Sequence, residues 1–177
     1  NIVKNLNVTN SLFRGMDKVS IPSQYFNDKK GYYNLRTEVY ETHKRGDTPF
    51  TLGGDHSIAI GTLAGSLDFY KKDLTTIWID AHADINTYES SNTKNLHGMP
   101  LSFLTGMDTS FMNMDGNELS TENLLYYGLR DVDEFEQRML DKNNIQHMTS
   151  NGLNRGDKFD NLTISTDKVH LSVDVDV

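Results

Sequence analysis

The sequence contains no cysteine, only 3 prolines, and fewer basic than acidic residues, with 17 Lys and Arg against 25 Asp and Glu. Without cysteine, neither a disulfide framework nor a thiolate metal site can form, so any bound metal must be held by His, Asp or Glu. The formal net charge of −8 disfavours nucleic acid or an anionic membrane as a partner. No run of about 18 apolar residues and no signal peptide is visible, which favours a soluble cytoplasmic protein.

The 177 residues are 36% hydrophobic and 24% charged, without repeats, which is typical of one α/β domain or part of one. The chain starts at Asn1 without Met and stops at Val177 inside an apolar and acidic alternation. We therefore expect a chain that is truncated at both ends. Residues 1–47 carry no recognisable chemistry, and residues 1–30 are predicted to be mostly loop.

Hydrophobic periodicity predicts strands that alternate with helices along the chain. The predicted helices are residues 32–45, 58–70 and 134–140, with a further helix start at residues 101–104, and the predicted strands are residues 49–52, 77–79, 124–128, 145–148 and 169–176. Residues 107–123 are predicted to form a surface loop whose methionines serve as packing residues. The alternation predicts a three-layer αβα fold with a mainly parallel sheet, whose site lies at the carboxyl ends of the strands.

Charged side chains begin where the predicted strand at residues 77–79 stops. Asp80, His82 and Asp84 alternate with small alanines, so in an extended backbone they would point to one side. A second group follows the predicted strand 49–52, where paired glycines place His56 at a turn and Asp55 at a turn or helix cap. In the last predicted strand, Asp174 and Asp176 share a face by the same two-residue period.

Together these clusters supply two imidazoles and four carboxylates, which are too many ligands for one tetrahedral zinc but suit two divalent ions. The candidate ligands are His56, Asp80, His82, Asp84, Asp174 and Asp176. A carboxylate-rich set favours Mn²⁺, although Co²⁺ or Fe²⁺ could use the same ligands. With a bridging hydroxide such a site carries a charge of −1, which matches a monocationic substrate. Each aspartate taken singly is also compatible with a turn or cap role.

As a set, these motifs resemble the signatures of the ureohydrolase superfamily, which includes arginase, agmatinase and formiminoglutamase. The resemblance is carried by residues 53–57, 80–86, 95–98 and 172–176. The D-I-N-T and N-L-H-G segments and residues 128–133 favour the arginase family within it. The resemblance implies an arginase-like catalytic domain, of which residues 1–177 are a part.

The resemblance implies hydrolysis of L-arginine to L-ornithine and urea at two Mn²⁺ ions per chain, and assembly into a homotrimer. One ion would be held by His56, Asp80, Asp84 and Asp174, and the other by Asp80, His82, Asp174 and Asp176, so that Asp80 and Asp174 bridge. His97 would carry a proton to the leaving amine. Asn86, Thr93, Asn95 and Asp133, with Glu136 on the amino side, would bind the α-carboxylate and α-amino groups.

Several alternatives remain open from the sequence. Another ureohydrolase, such as agmatinase or guanidinobutyrase, would share the metal ligands. A non-catalytic arginase-like binding or regulatory subunit would share the fold, and a zinc deacetylase would use a single metal on a related scaffold. For single residues, His97 could be an ordinary loop histidine and Glu136 an exposed helix glutamate.

Overall fold

The structure, a computed structural model, describes residue 21, residues 28–154 and residues 163–176. The first helix, α1, spans Lys29–Lys44 and begins at Asp28, whose side chain accepts a hydrogen bond from the backbone N–H of Lys30. Its buried face includes Leu35 and Val39, which lie one turn apart. The second helix, α2, spans Ala59–Tyr70 and is buried over most of its length. Both predicted helices are confirmed.

The sheet has four described strands, all parallel to their neighbours. They are β1 (Thr75–Ile79), β2 (Leu124–Leu129), β3 (Gln146–Thr149) and β4 (Val169–Val173), in the order β3-β2-β1-β4. The helices between and after them are α3 (Pro100–Leu104), α4 (Glu134–Lys142) and α5 (Ser150–Asn154). Parallel neighbours need crossover connections, and this arrangement brings the carboxyl ends of β1, β2 and β4 to one edge.

Two strand predictions were wrong in the described residues. Residues 49–52 form no strand, and Phe50 and Leu52 are 63% and 55% exposed. A strand persists only where a neighbour pairs with its backbone, and none of the four described strands pairs with this segment. The last strand also ends earlier than predicted, at Val173, so that Asp174 and Asp176 lie in the turn that follows.

The core lies between the sheet and its helices, around the fully buried Trp78, Tyr126 and Phe103. Residues 107–123 are irregular up to the 3₁₀ turn at Thr121–Asn123, but Met112 and Met114 from this segment are buried in the same core. Their predicted role as packing residues is confirmed. The segment is irregular as predicted, but it packs partly into the core instead of lying wholly on the surface. Across the described residues, no helix is both long and apolar enough to span a membrane.

Candidate metal centre and substrate cavity

The chain turns sharply where β1 ends, and this turn presents Asp80, His82 and Asp84. Asp80 Oδ1 accepts a hydrogen bond of 2.8 Å from the backbone N–H of His82, which is an Asx-type turn. Asp84 then adopts a left-handed backbone with φ of 51°. The three side chains therefore converge through a bent backbone, whereas the sequence had predicted an extended one.

His56 is held against this turn from three sides. It opens a 3₁₀ turn whose cap, Asp55, accepts a hydrogen bond from the backbone N–H of Ser57. The imidazole stacks on Trp78 with ring centroids 3.8 Å apart. Its Nε2 lies 2.8 Å from Ser172 Oγ, and its Nδ1 lies 2.6 Å from Asp80 Oδ2. The ring is thus fixed with Nδ1 facing the carboxylates.

The turn after β4 brings the last two carboxylates to the same place. The backbone N–H of Asp174 donates to the carbonyl of Ile79 over 2.9 Å, which sets Asp174 beside the end of β1. Asp174 Oδ2 lies 3.7 Å from His56 Nδ1, and Asp176 Oδ2 lies 3.4 Å from His82 Nδ1. Tertiary pairing of β1 with β4, rather than alternation within one strand, therefore assembles the cluster.

Two overlapping groups of side chains have the spacing of metal ligands, with all ligand atoms of each group within 4.8 Å of one another. They are His56, Asp80 and Asp174, and Asp80, His82 and Asp176. Asp84 adjoins the first group, with Oδ2 3.2 Å from His56 Nδ1. Because Asp80 belongs to both groups and offers two oxygens, the donor set fits two adjacent divalent cations that share a carboxylate.

Close packing of these groups shifts their pKa values. Burial raises the pKa of Asp84 to about 7, although a hydrogen bond with His56 opposes the rise. Burial lowers the pKa of His56, but hydrogen bonds with Asp80 and Asp84 outweigh it and raise that pKa to about 9. Carboxylates and imidazoles must be deprotonated to bind a metal, so a divalent cation bound here would displace these protons, and its affinity is expected to fall as pH falls.

The cluster forms the floor of a cavity of about 480 Å³. All the predicted site residues except Asn95 line it, and so does Asp131, which the sequence suggests as a supporting residue behind the metal ligands. The lining also includes four residues that the sequence did not single out as site residues: Asp55, Ser91, Asn92 and Gly98. Asn95 is exposed and precedes the 3₁₀ turn Leu96–Gly98. Asn92 and Ser91 directly precede Thr93 in the loop, which is the one sequence signal that could have found them.

On the side of the cavity away from the metal-ligand cluster, Asp133 accepts hydrogen bonds from two neighbouring groups. Its Oδ2 accepts a hydrogen bond of 2.6 Å from Asn86 Nδ2, while its Oδ1 accepts one of 2.9 Å from the backbone N–H of Glu136. In turn, Glu136 Oε2 accepts a hydrogen bond of 3.2 Å from the backbone N–H of Asp133, and Glu136 is only 5% exposed. Asp133 and Glu136 thus form the capping box that starts α4, and the reading of Glu136 as an exposed helix glutamate was wrong.

His97 and Thr93 lie on the exposed rim of the cavity. Two backbone hydrogen bonds join this part of the chain to the turn that follows β1. The N–H of Leu101 donates to the carbonyl of Asp84 over 3.0 Å, and the N–H of Asn86 donates to the carbonyl of Gly98 over 3.3 Å. The arrangement places a histidine at the mouth, polar neutral groups on one wall and carboxylates on the floor.

The profile of the arginase family matches residues 4–177 of this chain. The arginase of Neurospora crassa is 43% identical over 159 residues, which cover 80% of this chain and 44% of that protein. The arginase of Bacillus caldovelox is 38% identical over 152 residues, covering 80% of this chain and 50% of that protein. The chain thus spans about half the length of the curated relatives it matches.

Solved structures give the same result for the fold. The crystal structure of arginase from Bacillus subtilis matches with a TM-score of 0.73 at 35% identity, over 82% of this chain and 54% of that chain. A cold-adapted arginase from the yeast Glaciozyma antarctica matches with a TM-score of 0.74 at 34% identity, over 87% and 60% of the two chains. The predicted α/β fold with a parallel sheet is therefore confirmed.

Proposed function

The chain belongs to the arginase family, and from this premise we propose that the whole protein hydrolyses L-arginine to L-ornithine and urea, with two Mn²⁺ ions bound per chain. Residues 1–177 would form part of its single catalytic domain. The observation that carries the proposal is the pair of ligand groups that share Asp80 on the floor of the cavity. The ligands would be His56, Asp80, His82, Asp84, Asp174 and Asp176, with Asp80 and Asp174 as the bridging carboxylates.

The chemistry needs a strong nucleophile, because a guanidinium is resonance-stabilised and stays protonated. Divalent ions held by these ligands would lower the pKa of a water molecule to near neutrality and so would supply hydroxide. The nucleophile adds to the guanidinium carbon, the bond from that carbon to the ornithine nitrogen breaks, and that nitrogen takes up a proton. His97 at the mouth is suited to deliver this proton, which is a role worth about 10²–10⁴-fold in rate.

The charge of the cavity suits a guanidinium. Within the described ranges its lining includes eight carboxylates and neither lysine nor arginine: Asp55, Asp80, Asp84, Asp131, Asp133, Glu136, Asp174 and Asp176. Such a lining attracts a cation and repels a free anion. A substrate that carries a carboxylate therefore has to place it away from the floor, against neutral donors.

The neutral wall provides those donors. Asn86 and Thr93 on this wall, with Asn95 beside the cavity rather than in its lining, are proposed to meet the α-carboxylate, and Asp133 with Glu136 to meet the α-amino group. The hydrogen bond from Asn86 to Asp133 supports this division, because it joins the two walls and sets the distance between them. Assembly into a homotrimer, which the family resemblance implies, and a cytoplasmic location complete the proposal.

The test of the reaction uses the full-length protein loaded with Mn²⁺. We expect urea release from L-arginine with a far higher kcat/KM than from agmatine or 4-guanidinobutyrate, measured by a colorimetric urea assay. Preference for agmatine or 4-guanidinobutyrate would assign another ureohydrolase activity. Full metal occupancy without urea release from any of the three would favour a binding or regulatory subunit.

The metal assignment is tested by Asp174→Ala, which removes a carboxylate 3.7 Å from His56 Nδ1. We expect metal analysis to find two Mn²⁺ in the wild-type protein and at least one fewer in the variant, with loss of turnover. Asp73→Ala is the matched control, because Asp73 is an exposed carboxylate that precedes β1, at the opposite end of the strand. Normal occupancy and turnover in Asp174→Ala would refute the two-metal assignment.

A further inference from the structure

We propose that Lys94 is a positioning residue, whose side chain closes the loop 87–94 and so sets where the cavity wall meets the α-carboxylate of the substrate. This inference rests on the proposed function and deepens it, since it concerns selectivity for an amino-acid substrate. Lys94 itself is absent from the residues that line the cavity, whereas Ser91, Asn92 and Thr93 of the same loop line it.

The loop is tied at its beginning by short polar contacts. Ser90 Oγ donates to Asn86 Oδ1 over 2.7 Å and accepts from the backbone N–H of Thr87 over 3.0 Å. The backbone N–H of Tyr88 donates to Asp108 Oδ2 over 2.6 Å. These bonds fix the first half of the loop. The position of its second half therefore depends on the hydrogen bonds that Lys94 makes.

Lys94 bonds the second half of the loop back to the first. Its ammonium donates to the carbonyl oxygens of Tyr88 and Glu89, the latter over 3.3 Å, and lies 5.0 Å from the centroid of the Tyr88 ring. Its backbone N–H donates to Ser91 Oγ over 3.1 Å. The side chain thus acts as a crosslink between the two limbs of the loop, with Asn92 and Thr93 between them.

The backbone of Lys94 shows that this closure carries strain. Its φ is 58°, in the left-handed region that a side chain with a Cβ adopts at a cost. The turn persists because the ammonium and the backbone N–H are both satisfied there. When the ammonium is removed, the strained turn loses the contacts that offset its cost, and the loop gains alternative conformations.

Greater mobility of loop 87–94 should affect binding of the α-carboxylate end of the substrate but not of its guanidinium end. The guanidinium is attracted by the carboxylates of the cavity floor, which do not belong to this loop. The α-carboxylate meets neither lysine nor arginine among the described lining residues and depends on neutral donors at defined positions, including Thr93. A mobile loop therefore weakens α-carboxylate recognition and leaves the reacting end intact.

The kinetic test uses the full-length, Mn²⁺-loaded protein with Lys94→Met. We expect the KM for L-arginine to rise about tenfold, which is the loss expected for a well-placed polar contact, while kcat and metal content stay within twofold of wild type. Lys94→Arg, which keeps a cationic donor, should restore most of the KM. An unchanged KM, or a fall in kcat together with loss of metal, would overturn the proposal.

The control is Lys71→Met. Lys71 also has a left-handed backbone, with φ of 57°, and its ammonium also bonds another loop, at Asn117 Oδ1 over 3.0 Å. It follows α2 and does not line the cavity. We expect no change in KM, and an equal rise in both variants would overturn the specific role of Lys94.

A second measurement does not depend on the reaction. Amide hydrogen exchange of peptides that cover residues 87–94 should be faster in Lys94→Met than in wild type or Lys71→Met. Unchanged exchange would overturn the crosslink, and faster exchange with an unchanged KM would overturn its link to the substrate. If the wild-type protein releases no urea from arginine, the proposed function fails, whereas the exchange data still decide the crosslink.

Discussion

At the scale of single residues, Asp133 combines a structural role with its proposed contact to the substrate. One carboxylate oxygen caps α4 and the other accepts the amide of Asn86. Removing the side chain therefore loses a helix cap as well as a charge. The loss of the cap alone costs about 0.5–2 kcal/mol of stability. A functional test has to separate these two effects.

Asp133→Asn separates them, because asparagine caps a helix as well as aspartate but carries no charge. In the full-length protein we expect both Asp133→Asn and Asp133→Ala to raise the KM for arginine roughly ten- to a hundredfold, through loss of a charge-assisted contact. Thermal unfolding should show that the alanine variant loses more stability than the asparagine variant, which keeps the cap but loses the acceptor for Asn86, and metal content should be normal in both. Loss of manganese, or a wild-type KM, would make Asp133 a purely structural residue.

His170 gives a pH dependence outside the metal cluster. Its Nδ1 lies 3.1 Å from Ser66 Oγ, between β4 and α2, and burial, followed by the charges of His43 and His56, lowers its pKa from 6.5 to about 4. The unfolded chain binds a proton near pH 6.5 and the folded one does not, so this contribution to stability is present above pH 6.5 and is lost as pH falls towards 4.

We therefore expect the metal-free protein to lose stability between pH 6.5 and 4, and His170→Gln to lose less over the same interval. Urea unfolding at a series of pH values measures both. His147→Gln, the same substitution at an exposed histidine, is measured in parallel as the control for the substitution itself. Identical slopes for His170→Gln and wild type would show that His170 is not protonated on unfolding.

At the scale of elements, the contact between α1 and α2 depends on glycines that let the helices approach closely. A Cβ on Gly65 would lie 2.4 Å from the carbonyl oxygen of Arg36, and one on Gly61 would lie 2.8 Å from that of Tyr32. Both neighbours are backbone atoms, which cannot move aside without shifting the helix. Since the 3₁₀ turn that begins at His56 leads directly into α2, this packing also affects the position of a proposed metal ligand.

Gly65→Ala should destabilise the protein by about 1–3 kcal/mol, the usual cost of overpacking, despite the better helix propensity of alanine. Chemical denaturation monitored by Trp78 fluorescence measures the change. Gly54→Ala is the matched control, since a Cβ there meets nothing within 4 Å. Equal stability of Gly65→Ala and wild type would mean that α1 and α2 separate easily.

At the scale of the whole molecule, β4 forms an edge of the described sheet and leaves one face uncovered. Val169, Leu171 and Val173 alternate along it and are 48%, 58% and 55% exposed. The opposite face of the strand is directed at α2 and His56 through His170 and Ser172. An apolar edge of this kind is prone to pairing with other chains.

We expect residues 1–177, expressed alone, to self-associate and to be nearly inactive, because the uncovered edge adjoins the metal cluster. Leu171→Lys should reduce the association, as measured by sedimentation velocity, because a lysine on an edge strand disfavours pairing. Tyr33→Lys adds the same charge to an exposed apolar residue of α1 and should leave association unchanged. A monomeric, fully active 177-residue chain would contradict this expectation.

The sequence by itself predicted α1, α2, α4 and most of the strands, and it singled out most of the side chains that the fold brings to one cavity. α1, β1 and β2 carry local hydrophobic periods, and D-x-H-x-D, G-G-D-H and S-x-D-x-D are patterns of adjacent residues, so both can be read without knowing the fold. The capping box of Asp133 and Glu136 is also local, and its D-x-x-E spacing could have predicted that Glu136 turns back onto the backbone.

Tertiary structure decided what depends on pairing between distant segments. Residues 49–52 have the composition of a strand but are not part of the described four-stranded sheet, and the strand predicted through residue 176 ends at Val173, where the chain turns towards Ile79. The convergence of Asp174 on His56 and Asp80 follows from the parallel pairing of β4 with β1, across more than ninety intervening residues. Hydrogen-bond partners and burial are properties of such non-local contacts, so periodicity along the chain does not contain them.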